Sequence, residues 1–188
     1  MFIQTEVTPN PSTLKFLPGR IVMKQGTAFF QNKDGEVNSP LAKRLFDING
    51  VKGVFLGSDF VTITKSEDSE WQILKPYLLG AIKEHYESGN EVILEINSDE
   101  KVKDTSKDSD IVKQIKELLD TRVRPAVAMD GGDIIYDSFE EGEGVVYLKM
   151  QGACSGCPSS TATLKSGIEN MLRHYVPEVK EVRSVLEK

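Results

Sequence analysis

The feature that most constrains the fold is a polar stretch at residues 98–108, which reads Ser-Asp-Glu-Lys-Val-Lys-Asp-Thr-Ser-Lys-Asp. It contains a single apolar side chain, Val102, so it has no apolar face to bury. Because patterned segments stand on both sides of it, we predict two small domains, residues 1–97 and 109–188, joined by a flexible, solvated linker. A surface loop within a single domain is the alternative.

Composition narrows the class of protein. The chain has 188 residues, which suits one large or two small domains. Its net charge of −6 argues against a general nucleic-acid binder, and no apolar run approaches the roughly 18–20 residues of a membrane span. We therefore expect neither nucleic acid nor a membrane as a partner. The first residues resemble neither a signal peptide nor an Arg-rich presequence. Two cysteines in a chain of this length do not make a disulfide scaffold, so we also expect a reducing compartment.

The first unit has an α+β pattern. Ser39 and Pro40 predict a helix start, since serine supplies an N-cap oxygen and proline suits the first turn. Ser69 and Gln72 match a capping box and predict a second helix to about Ser88, with a kink or a late start at its internal proline. Alternating runs predict strands at residues 2–7, 13–17, 51–56 and 60–64.

The residue pattern of the second unit predicts the order helix, two strands, helix, strand. A helix begins at Ser109 or Asp110, and Arg122 to Pro125 is expected to end it. Asp130-Gly-Gly-Asp133 predicts a tight turn. The later elements are predicted at residues 134–139, 145–150, 159–175 and 179–185. His85 and His174 lie on helical patterns, where packing or surface roles are favoured over ligation.

Cys154 and Cys157 are the only cysteines, and they lie between a predicted strand and a predicted helix. At a helix N-terminus the backbone N–H groups and the helix dipole favour an anion, which would lower the pKa of the second cysteine. Neither cysteine belongs to a predicted apolar face, and small neighbours leave room for another molecule, so we expect an exposed site. The spacing indicates metal binding or redox chemistry.

The number of available ligands leaves several possible roles for the cysteine pair. Zinc and iron–sulfur clusters normally take four protein ligands, and this chain offers two cysteines with no nearby histidine. Two copies could share one centre, or external thiols could complete it. Alternatively, the pair is a thiol–disulfide oxidoreductase site, or it binds zinc in a structural dimer. Against a thioredoxin-type enzyme, the preceding strands predict a hairpin rather than a βαβ unit.

Several long motifs resemble a known family. In the second unit these are Asp130-Gly-Gly-Asp133, Leu148-Lys-Met-Gln-Gly-Ala-Cys-Ser-Gly-Cys-Pro-Ser-Ser160 and Leu164-Lys-Ser-Gly-Ile-Glu-Asn-Met-Leu172. In the first they are residues 2–19, 39–46 and 51–57. The whole resembles Nfu-type iron–sulfur proteins, with an Nfu N-terminal domain at 1–97 and a NifU-like α-β-β-α-β domain at 109–188.

The resemblance implies a non-enzymatic scaffold or carrier for a 4Fe–4S cluster, with 2Fe–2S as the alternative. Carried over by position, the ligands are Cys154 and Cys157 from each of two chains, in a homodimer that forms around the cluster. The implied partners are apo iron–sulfur proteins as recipients and cluster-assembly machinery as donor. It implies a bacterial cytoplasmic protein, or a mature protein of the mitochondrial matrix.

Overall fold

The structure, a computed structural model, describes residues 1–31, 37–94, 108–156 and 158–185. Contacts divide the chain into two compact units, Met1–Asn97 and Ser98–Lys188. All of the predicted linker except Asp108 lies outside the described residues, so its flexibility and the boundaries drawn from it stay predictions. No helix in the described ranges is both long enough and apolar enough to cross a membrane.

The first unit is a five-stranded antiparallel sheet with two helices. Its elements are β1 (Gln4–Val7), β2 (Thr13–Leu17), β3 (Ala28–Phe30), α1 (Pro40–Phe46), β4 (Val51–Leu56), β5 (Val61–Lys65) and α2 (Trp71–Glu87). The strands lie in the order β1-β2-β5-β4-β3. Strands predicted at 13–17 and 51–56 are confirmed with the same bounds. Short β3 was not predicted.

Of the two helix starts predicted in the first unit, one is confirmed and one is wrong. Ser39 caps α1 as predicted: its hydroxyl accepts a hydrogen bond from the backbone N–H of Ala42 at 3.0 Å. The capping box predicted for α2 is wrong, because the helix begins at Trp71 and Ser69 instead hydrogen-bonds the Ser66 hydroxyl at 2.7 Å. The late start is also wrong, since Pro76 lies inside α2.

The second unit packs its helices on a three-stranded sheet. Its elements are α3 (Asp110–Leu118), a π-helical turn (Leu119–Val123), α4 (Arg124–Met129), β6 (Gly132–Glu140), β7 (Val145–Gly152), α5 (Pro158–Tyr175) and β8 (Glu181–Val185). β7 pairs antiparallel with β6 and parallel with β8. The predicted α-β-β-α-β order is therefore confirmed.

The helix end predicted at residues 122–125 is wrong. The backbone N–H of Arg124 donates to the carbonyl of Leu119, five residues back, so the chain widens into a π-helical turn instead of stopping. Pro125 then lies in the first turn of α4, directly after this widened turn. The helical path runs on to Met129, directly before the Asp130–Asp133 turn.

The core of the second unit lies between its helices and its sheet. α5 contributes Ile168 and Leu172, as its periodicity predicts, and the sheet contributes Ile134 and Leu148. The same cluster contains Cys154, so the expectation that neither cysteine belongs to the core is wrong for Cys154.

Candidate metal centre

Cys154 lies in the short connection between β7, which ends at Gly152, and α5, which begins at Pro158. Backbone hydrogen bonds hold this connection in a tight turn: Cys154 N–H donates to the Gln151 carbonyl at 3.3 Å and Ser155 N–H to the Gly152 carbonyl at 3.0 Å. The residue is 6% exposed. The predicted solvent exposure of the site is therefore wrong at this cysteine.

Gly132 packs directly against Cys154. It opens β6 and pairs with Gly152 at the end of β7. A Cβ atom at position 132 would lie 2.5 Å from Cys154 Sγ and 2.9 Å from its backbone nitrogen, so only glycine fits here. The Asp130-Gly-Gly-Asp133 motif predicts a turn, and Gly131 has the positive φ of 83° that such a turn requires. The close approach of Gly132 to the cysteine has no signal in the sequence.

A buried ion pair supports this turn. Asp133 is buried, and its two carboxylate oxygens accept hydrogen bonds from Nε and Nη2 of Arg124, each at 2.8 Å. Asp133 Oδ1 also accepts from the backbone N–H of Ile134 at 2.8 Å. The hydrogen bond to Asp133 is the main cause that raises the pKa of Arg124, which stays charged. This bidentate pair ties the start of α4 to the start of β6.

Burial raises the pKa of the Cys154 thiol to about 12, and the negative charges of Asp130 and Asp133 add to the effect. The thiol is therefore protonated near neutral pH. Because the thiolate is the species that attacks disulfides, Cys154 is poorly prepared to act as an attacking thiol. The lowered pKa was predicted for the second cysteine, Cys157, which lies outside the described residues.

The described part of this loop does not form a complete metal site by itself. Among the residues that the structure describes, no three His, Cys, Asp or Glu side chains come together in a way that could hold a metal ion. His85 is buried on α2 in the first unit, and His174 is exposed in the last turn of α5, which agrees with the predicted packing and surface roles. The assignment of Cys154 and Cys157 as ligands thus stays a prediction.

Comparison with known proteins identifies the family. Residues 3–89 match the family profile described as "Scaffold protein Nfu/NifU N terminal", and residues 115–183 match the "NifU-like domain". The chain is 57% identical, over 97% of its length, to "NifU-like protein 4, mitochondrial" of Arabidopsis thaliana, and covers 65% of that protein. It is 48% identical to the human "NFU1 iron-sulfur cluster scaffold homolog, mitochondrial", with 100% of this chain and 73% of that protein covered.

The chain belongs to the Nfu/NifU-like family. This confirms the resemblance and the α+β fold with its two family domains. The chain spans about two thirds of the length of these Nfu relatives, 65% of the plant protein and 73% of the human one. The solution structure of a NifU-like protein from Saccharomyces cerevisiae is 28% identical over 51% of this chain and 87% of that one, with a TM-score of 0.47.

The predicted location in a bacterial cytoplasm is wrong. Both full-length Nfu relatives described above are eukaryotic and are named mitochondrial.

Proposed function

We propose that this chain is a scaffold that holds an iron–sulfur cluster as cargo and passes it to apo-proteins. One observation carries the proposal: Cys154 lies in the β7–α5 turn of the NifU-like domain and packs against Gly132. In the sequence it stands three residues before Cys157. Support comes from the human relative, which is named an iron–sulfur cluster scaffold homologue. The proposed role is binding and delivery rather than catalysis.

Two chains would share one cluster. Cys154 and Cys157 are the only cysteines, so each chain supplies two thiolates, whereas a 4Fe–4S or 2Fe–2S cluster normally takes four. We favour 4Fe–4S, with a homodimer that forms when the cluster binds. Recipients then replace the four thiolates one at a time with their own cysteines, and assembly machinery supplies the cluster. The names of the relatives favour a mitochondrial location for this work.

Loading must change the state of Cys154. Its thiol is buried and protonated, whereas iron binds the thiolate. Gly152 and Gly156 lie on either side of it with φ angles of 61° and 75°, values that glycine adopts without strain. We expect the turn to rearrange at these two residues when the cluster binds. Each bound thiol releases a proton, and uptake should therefore weaken as the pH falls.

Anaerobic reconstitution with ferrous iron and sulfide tests the proposal. We expect about four irons and four sulfides per dimer, measured by iron and sulfide content beside sedimentation mass. Cys154→Ser and Cys157→Ser should each lose the cluster. Ser155→Ala, which changes one of the two residues between them, is the matched control and should load like the parent protein.

Three outcomes would contradict the proposal or its ligand assignment. A colourless parent protein that reduces disulfides would make the cysteine pair a redox site. Stoichiometric zinc in a colourless dimer, with no iron taken up, would make it a structural metal site. Stoichiometric iron and sulfide retained by Cys154→Ser would remove that residue from the ligand set.

A further inference from the structure

One face of the second unit is exposed and largely apolar, and it lies beside the cysteine turn. Pro125, Ala126 and Met129 are exposed on the outer side of α4, and Met129 is 77% exposed. Val123 and Val127, on the opposite side, are buried in the core. Arg122 continues the exposed face by one turn, and its guanidinium lies 4.8 Å from the ring centre of half-exposed Tyr175. We call Arg122, Pro125, Ala126, Met129 and Tyr175 the α4 face.

The α4 face is continuous with the cysteine turn. Met129 is followed at once by the Asp130–Asp133 turn, and Ala153 N–H donates to the Gly131 carbonyl at 3.1 Å. Gly132 contacts Cys154 directly. If one cluster is bound by the cysteines of two copies, the surfaces that border those cysteines on each copy must approach the other. Among the described residues, the α4 face is the apolar surface in that position.

Charge also favours a second copy at this face. Each chain has a net charge of −6, so two copies repel each other over most possible contacts. The five residues of the α4 face include one cation, Arg122, and no acidic side chain, while exposed Asp130 borders the face next to Met129. Two such chains therefore oppose few negative charges at this contact. Arginine, tyrosine and methionine are also enriched at the centres of protein interfaces.

We propose that the α4 face is the contact surface between the two copies of this chain that share a cluster. The inference rests on the proposed function, because the shared cluster is what brings the two copies together. The contact is small, so it supports the cluster-bound dimer without holding the cluster-free chains together. Met129, at the end next to the cysteine turn, makes the main apolar contact.

Sedimentation velocity of the reconstituted full chain, over a range of concentrations, tests this. Met129→Glu and Met129→Lys should each raise the dissociation constant of the cluster-bound dimer about tenfold, because each places a charge in the main apolar contact. Met129→Leu should stay within about twofold, because it keeps the apolar contact. Ile73→Glu, on α2 of the first unit and 65% exposed, is the matched control and should leave the dissociation constant unchanged.

The two substitutions by charge separate apolar contact from simple repulsion. If only Met129→Glu weakened the dimer, the effect would be charge repulsion between acidic chains, and the proposal would be wrong. A dissociation constant unchanged in both would also overturn it, and slower cluster transfer to an apo-ferredoxin by those variants would then assign the face to recipients. Failure of the parent chain to load iron and sulfide at all is a different result, which removes the proposed function and this inference with it.

Discussion

At the residue scale, the burial of Cys154 predicts unusual thiol chemistry in the cluster-free chain. With a pKa of about 12, its alkylation by iodoacetamide at pH 7 should be slower than that of an ordinary cysteine. The expected difference is on the order of a thousandfold, the ratio of thiolate populations for a pKa near 12 and one near 8.5. The rate should also keep rising with pH above 9, where an ordinary thiol levels off.

The measurement uses cluster-free Cys157→Ser, so that Cys154 is the single thiol. Mass spectrometry follows alkylation with time at several pH values. The same variant in concentrated urea is the control and should react like a small-molecule thiol, because unfolding removes the burial. Folded-state alkylation as fast as that in urea would show that Cys154 is exposed in solution.

The ion pair between Arg124 and Asp133 supports a prediction about stability. Arg124→Ala leaves the Asp133 carboxylate buried without its bidentate partner. We expect a loss of about 3 kcal/mol in unfolding free energy, the low end for a severed buried pair, because the arginine itself is 35% exposed and partly screened. Arg173→Ala, which breaks a pair between exposed Arg173 and half-buried Glu169 on the same helix, should cost less than about 1 kcal/mol.

Urea unfolding of cluster-free protein measures both variants, and Arg124→Lys refines the result. Lysine keeps the charge but cannot bind both oxygens, so its loss should lie between those of the other two. Equal small losses for Arg124→Ala and Arg173→Ala would mean that the Asp133 pair contributes little to stability.

The site shows what a sequence can and cannot predict at this scale. The Cys154–Cys157 spacing, between a strand and a helix, identifies the candidate site without a structure. The burial of Cys154 is not predictable in this way, because it depends on Gly132, a residue on another strand that packs against it. Arg124 and Asp133 are likewise nine residues apart on either side of a turn, and charged residues at that spacing carry no local signal.

At the scale of elements, the turn that joins β6 and β7 supports a prediction about glycine. Gly144 has a φ of 72°, and its carbonyl accepts hydrogen bonds from the N–H groups of Lys180, at 2.7 Å, and Glu181, at 3.2 Å. A Cβ atom on Gly144 would lie 2.5 Å from the Glu178 carbonyl oxygen. Gly144→Ala should therefore lose about 2 kcal/mol or more of stability, from left-handed strain and the backbone clash together.

Gly142→Ala is the matched control from the same turn. A Cβ atom there meets nothing within 4 Å, so the change should stay within about 0.5 kcal/mol. Thermal and urea unfolding of the two variants decide between the expectations. Similar stability for both would show that the connection to β8 adjusts around position 144.

Elements with a clear period were predictable, and those defined by irregular backbone were not. Helix α5, the β6–β7 hairpin and β8 follow from apolar spacing and turn residues. The error at Arg122–Pro125 arose because a proline after a helical run is compatible both with a helix end and with a new first turn. Only the π-helical turn at Leu119–Val123 distinguishes the two, and it depends on packing of Leu119 and Val123 in the core.

At the scale of the whole molecule, the described residues form two hydrophobic cores with no shared member. One includes Phe16, Leu45 and Leu78 from the first unit, and the other includes Ile115 and Leu172 from the second. A unit with its own core can unfold on its own. The predicted two-domain division therefore has an energetic consequence that a single-domain chain would not show.

Leu78→Ala and Leu172→Ala each remove a fully buried side chain, and each should cost about 3 kcal/mol in its own unit. Hydrogen exchange of the full chain, followed by mass spectrometry, should then show faster exchange of core amides in residues 4–87 for Leu78→Ala and in residues 110–185 for Leu172→Ala. Each variant is the control for the other. Faster exchange in both units after either change would mean that the chain unfolds as one cooperative body, and the division at residues 98–108 would have no energetic meaning.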